Sequence, residues 1–210
     1  MEKILLLGNS LISKKTIEAN KALEYNIEDV TEIGMTIDTG YKKLKQILKI
    51  NKSFDFVVLS FGGNDWEYVW KTTDDKRIFL PKTSFEKFKK TYKKIIKLLK
   101  KNHIKPVLIS LPPLEAKKYY DWILTQIEDK NNLASTLKTE EKVARYHELY
   151  NLTIYELFVK YDTKLIDLNK EFMNDNKKET LLSEDGVSLN LLGQDKANSI
   201  LMNKLRNLVL

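Results

Sequence analysis

Cysteine is absent from this chain of 210 residues, and glycine, proline and histidine are scarce, at seven, four and two. Without a thiol there is no disulfide, no thiol nucleophile and no thiolate metal site. The absence also fits a reducing cytosol. Long hydrophobic runs are missing as well. Near the amino terminus only Ile4 to Leu7 is apolar, too short for a signal-peptide core or a membrane span. A cytoplasmic location with no membrane span is therefore expected. What is present describes a soluble globule rather than a disordered chain, with 42% hydrophobic and 31% charged residues. The length suits a single domain over 1–210 with a proper core.

The net charge is +7, from 36 basic and 29 acidic side chains, and much of the excess is lysine between positions 82 and 105. A basic surface can attract nucleic acid or anionic lipid. The same stretch, however, carries Phe85, Phe88, Tyr92, Ile95, Ile96 and Leu99 at helical spacing, with the lysines outside that stripe. A helix with its apolar face inward and its lysines in water accounts for the pattern, so no nucleic-acid partner is expected. An interaction surface on this helix remains the competing reading from a different functional class.

Short apolar runs alternate with amphipathic stretches along the chain. Residues 3–8, 29–33, 54–61, 106–111 and 164–168 read as strands; 16–25, 39–50, 84–102, 140–161 and 191–208 read as helices. Such alternation argues for an α/β domain, with a mostly parallel sheet covered on both faces. Pro112-Pro113 stops one strand and opens a loop. Residues 119–138 are expected to hold a further helix around 120–128 and to form a cap beside the site. In an open parallel sheet, ligands bind outside the carboxyl ends of the strands. Gly8-Asn9-Ser10, Gly34-Met35-Thr36 and Gly62-Gly63-Asn64 each follow an apolar run, so three polar, glycine-bearing segments converge on one rim.

Each segment offers chemistry, and each has a plainer explanation. Ser10 on a strand-to-helix turn presents its hydroxyl and N–H where a helix amino terminus favours developing negative charge; it could equally be a simple helix cap. Gly34 and Gly40 could serve only a turn and a helix start. Asn64 offers a neutral amide donor suited to an oxyanion. A hairpin turn is the plain reading of Gly-Gly-Asn-Asp, and it fits poorly because Trp66 to Trp70 leads into a polar stretch with no second strand. Asp185-Gly186-Val187-Ser188-Leu189-Asn190, followed by Gly193, completes the set.

In order, these four segments resemble the sequence blocks of the SGNH (GDSL-type) hydrolases, and the resemblance spans Ile4 to Gly193. It implies a three-layer α/β/α, flavodoxin-like doubly wound parallel sheet of about five strands. It also implies hydrolysis of esters or related acyl groups, namely carbohydrate acetyl esters, lipid esters or thioesters, without cofactor or metal. Ser10 is then the nucleophile, the N–H groups of Ser10 and Gly34 with the Asn64 amide form the oxyanion hole, and Asp185 is the orienting acid of the triad. Three positions depart from the pattern, of which Met35, in place of the more usual polar residue, leaves the Gly34 N–H as a donor. Asn9 replaces the aspartate of the GDSL signature, and Ser188 stands where the family has its base histidine.

A serine hydroxyl cannot serve as general base near neutral pH. His103 lies in a polar turn and His147 lies mid-helix between Arg145 and Tyr150, so neither is expected to reach the rim. Three readings follow. The chain is an impaired ester hydrolase that uses Asp185 through a water in the vacant imidazole space; or it is an inactive relative that binds an acylated or glycan ligand in the old cleft; or position 188 carries a substitution relative to an active parent. Trp66, Tyr68, Trp70, Tyr119, Tyr120 and Trp122 flank the site loops, as cleft lining or as packing under a cap.

Overall fold

The computed structural model describes residues 2–9, 26–51, 53–73, 76–126, 139–176 and 180–209. Ser10, the helix expected at 16–25 and the polar part of the expected cap from residue 127 to 138 lie outside the described residues.

Five strands form one parallel sheet: β1 (Lys3–Gly8), β2 (Asn26–Asp29), β3 (Phe56–Ser60), β6 (Lys105–Ile109) and β7 (Lys164–Ile166). Their spatial order is β2-β1-β3-β6-β7, the flavodoxin-like arrangement. Side chains alternate across the strands, as a period of two requires. On one face Leu5, Leu7, Val57, Leu59 and Leu108 pack against helices α1 (Ile37–Ile50), α2 (Phe85–Lys101) and α4 (Glu140–Tyr161). On the other, Ile4, Leu6, Phe56, Val58, Val107 and Ile109 meet α5 (Leu168–Met173) and α6 (Leu191–Val209). The expected three layers are thus present, with a core on each side of the sheet. Helix α3 (Ala116–Gln126) lies on the α4 side.

Helix α2 buries Phe88, Tyr92, Ile95, Ile96 and Leu99, as its spacing predicts. Its lysines reach outward to partners on neighbouring helices: Lys87 to Asp38, and Lys89 to Glu156 at 2.7 Å.

Four elements differ from the sequence reading. Strand β2 ends at Asp29, because its carboxylate accepts from the N–H and the hydroxyl of Thr31 and turns the chain; Ile33, read as strand, is 93% exposed. A second strand does follow Trp66. β4 (Tyr68–Thr73) and β5 (Lys76–Pro81) pair antiparallel, the polar residues at their junction masking two β-prone runs. Helix α3 begins at Ala116, four residues before the expected start. Leu168 opens a helix instead of closing a strand, since the Asp167 carboxylate caps it by accepting from the Lys170 N–H at 3.0 Å.

Candidate active site

The chain order of the strands reverses between β1 and β3, and a cleft lies at the carboxyl ends there. It encloses about 470 Å³, and Asn9, Gly34, Asn64 and Ser188 all line it. Residues from four separated segments of sequence are therefore brought to one place. Ser10, expected from the sequence to be the nucleophile, lies outside the described residues, one residue beyond Asn9.

Close backbone contact builds the rim at β1. Gly8 has φ +132°, and a Cβ there would lie 2.1 Å from the Ser60 carbonyl oxygen, so only glycine lets the chain leave β1 this close to β3. The next N–H, of Asn9, donates to that same oxygen at 2.7 Å. The Asn9 side chain then crosses to the second segment, its Oδ1 accepting from the Gly34 N–H at 3.2 Å. The N–H expected to face an oxyanion is thus held by Asn9 in this structure.

Asp65 ties the third segment to the second. Fully buried, it accepts from the Gly62 N–H and from the Ile37 N–H at the start of α1, both at 3.0 Å. Burial raises its carboxyl above the ordinary carboxylate range in spite of these donors. One carboxylate therefore fixes the turn carrying Asn64 against the turn carrying Gly34. Asn64 is buried, and its Nδ2 has no hydrogen-bond partner among the described residues. An unpaired amide donor at a cleft wall costs about 1–3 kcal/mol, a cost that a ligand oxygen removes.

At the fourth segment both oxygens of the Asp185 carboxylate accept hydrogen bonds. Its Oδ1 accepts from the N–H of Val187 at 3.0 Å and of Ser188 at 2.8 Å, and its Oδ2 accepts the Ser188 hydroxyl proton at 2.5 Å. Asp185 thus orients Ser188 as it would orient an imidazole, but the group it holds is not a base. The loop is anchored on both sides. The Glu115 N–H donates to the Gly186 carbonyl at 2.8 Å, and Asn190 Oδ1 accepts from the Gly193 N–H in the first turn of α6.

His147 overturns one expectation, for it lines the cleft. A mid-helix position hides the fact that α4 crosses behind the loop at residues 110–112. Its ring stands edge-on to Trp66, with centroids 5.3 Å apart. It bonds to the backbone of Pro112, which has only a carbonyl to offer, so an imidazole N–H donates. Burial pushes its pKa down to about 4, so the ring is neutral and a weak base. His147 is 5% exposed and forms a wall that holds the loop. Asn151 acts alongside it, its Oδ1 accepting from the Leu111 N–H at 2.9 Å. His103 lies at the opposite, amino-terminal end of β6.

The flanking aromatics divide. Trp66, Tyr68 and Tyr119 are buried, whereas Trp122 is 39% exposed. Among the described residues no cluster of metal-ligating side chains occurs, and no helix is long and apolar enough to cross a membrane.

Residues 3–204 match a family described as proteins of unknown function, DUF459. The chain belongs to that family. Solved structures described as GDSL-like lipases and SGNH hydrolases share the fold of this DUF459 chain. A lipase/acylhydrolase from Enterococcus faecalis superposes with a TM-score of 0.70 at 17% identity, covering 99% of this chain and 96% of that one. An acetyl xylan esterase gives 0.65 at 22% identity, with 96% and 98% covered. The psychrotrophic esterase EstA from Pseudoalteromonas sp. gives 0.64 at 14% identity, with 100% and 99% covered. No curated protein matches the sequence of this DUF459 member.

Proposed function

We propose that this DUF459 protein is a serine hydrolase of acyl or acetyl esters, slowed by the loss of its base histidine. The observation that carries the reading is the convergence of Asn9, Gly34, Asn64 and Ser188 on one cleft at the switch point of the sheet. Ser10 Oγ attacks the acyl carbon, and the carbonyl oxygen takes up the electron pair as an oxyanion. The N–H groups of Ser10 and Gly34 and the unpaired Asn64 amide receive that charge, with Asn9 releasing the Gly34 N–H as the substrate enters. The Ser10 proton passes through a water, in the space an imidazole would fill, to Asp185. A carboxylate is a poor base for this transfer, and the slow step follows from it.

The reading is tested with 4-nitrophenyl acetate. Turnover by the parent protein is expected to be slow but measurable, and Ser10→Ala is expected to remove it. Equal rates for the two proteins would refute catalysis by Ser10.

A further inference from the structure

The far end of the sheet holds a separate pocket, of about 430 Å³, at the amino-terminal ends of β6 and β7. Helices α2 and α4 both finish there, and each gives way to a residue in the left-handed region: His103 at φ 60° and Asp162 at φ 45°. These are the two non-glycine residues with positive φ among the described residues, and both line the pocket. Glycine is the usual choice at such a turn, because it has no Cβ to strain. Here both turns carry polar side chains instead.

The lining is cationic. Lys100, Lys105 and Lys164 contribute three ammonium groups against the one carboxylate of Asp162. Helix carboxyl ends favour cations without any ligand, and Lys100 fits that account, since its ammonium donates to the Tyr161 carbonyl at the end of α4. Lys105 and Lys164 do not fit it. They open the neighbouring strands β6 and β7, and their ammonium groups lie over the Phe56 ring, 5.0 and 5.8 Å from its centroid. The nearby helix-end carbonyls already have backbone donors: the Lys100 carbonyl accepts from the His103 N–H at 3.0 Å, and that of Phe158 from the Thr163 N–H at 3.2 Å. Thr163 supplies an independent observation. It lines the pocket with nine-tenths of its surface buried, and its hydroxyl has no hydrogen-bond partner among the described residues. Valine would fill the same space without an orphaned polar atom, so the hydroxyl is explained by a ligand that bonds to it.

We infer that this pocket binds the phosphate group of a phosphate monoester, soluble or carried on a lipid, with Lys100 and the Thr163 hydroxyl as its donors. Three ammonium groups against one carboxylate leave two positive charges, before the His103 imidazole is counted. A phosphate monoester, at about −1.5 to −2 near neutral pH, balances them and offers acceptor oxygens to every donor. The site is remote from the cleft and does not rest on the ester-hydrolysing reading. The whole protein is titrated calorimetrically with phenyl phosphate, and with benzoate as the singly charged comparison. Phenyl phosphate is expected to bind saturably and more tightly than benzoate. Thr163→Val, and Lys100→Gln, which keeps a donor for the Tyr161 carbonyl, are each expected to weaken that binding by about 10-fold or more. The melting temperature of Thr163→Val should hold or rise, which separates a lost contact from a damaged fold. Sedimentation with phosphatidylcholine vesicles, with and without phosphatidic acid, distinguishes the source. If phenyl phosphate does not bind, but phosphatidic acid vesicles capture the parent protein and neither variant, the phosphate belongs to a head group. Binding of neither probe, equal affinity for benzoate, or binding unchanged in either variant would overturn the assignment.

Discussion

Ser188 donates its hydroxyl proton to Asp185 at 2.5 Å, so the acid that would orient a base holds an alcohol in its place. Restoring the imidazole with Ser188→His is expected to raise kcat for 4-nitrophenyl acetate by about 10²–10⁴-fold, the usual worth of a positioned general base. The rate should also acquire a rise with pH near ~6.5, where an ordinary imidazole loses its proton. Stopped-flow or plate assays across pH 5–8 read both effects; an unchanged profile would mean the loop no longer aims position 188 at the nucleophile. The second residue-scale prediction concerns His147, whose buried ring has a pKa of about 4 against a model-peptide value of 6.5. The folded state binds fewer protons than the unfolded one between those values. This residue's contribution is therefore fully present above about 6.5 and is lost as pH falls toward 4, a loss of roughly 3 kcal/mol. Urea denaturation at a series of pH values should show that slope, and His147→Gln, which keeps a donor for the Pro112 carbonyl, should flatten it. Asp185 and Ser188 were legible as a pair through the resemblance of their segment to the last SGNH block. The placement of His147 was not, because a histidine inside a helix carries no sequence mark of which loop the helix crosses.

Elements in this protein are positioned by single side chains that reach between them. Asp65 joins the start of α1 to the Gly62 turn using both carboxylate oxygens as acceptors. Asp65→Asn replaces one acceptor with an NH₂ that faces an N–H donor, and about 1–3 kcal/mol of stability should be lost. Because the same bond pair sets Asn64 against Gly34, ester turnover is expected to fall together with the melting temperature. Calorimetry and the aryl ester assay on one preparation test the link, and a destabilised variant with full activity would show that the two turns hold their places without it. The long amphipathic helices, α2 and α4, were readable from periodicity alone, since one face had to meet the sheet. The β4–β5 hairpin and the short α5 were not. Their signals are local, a polar junction and one capping aspartate at Asp167, and each competes with an equally good reading as a loop or strand end.

Over the whole molecule, stability should follow the two cores and not the surface. Leu59 is fully buried in the central strand, whereas Leu191 is 78% exposed at the start of α6. Leu59→Ala should cost about 2–5 kcal/mol, and Leu191→Ala should stay within about 0.5 kcal/mol, as read from urea midpoints. If the two variants cost alike, the sheet does not carry the fold. Alternating apolar runs and amphipathic helices determined the α/β class, the parallel sheet and its two covered faces, because burying both faces demands that pattern. The three polar, glycine-bearing segments after strands likewise marked one rim, since parallel strands all end on the same side. Tertiary structure alone decided what closes that rim: Asn9 holding the Gly34 N–H, His147 and Asn151 holding the 110–112 loop, and Trp122 left open on a buried aromatic stack. These are contacts between residues far apart in the chain, and only the packing of helices on the sheet selects which of them meet.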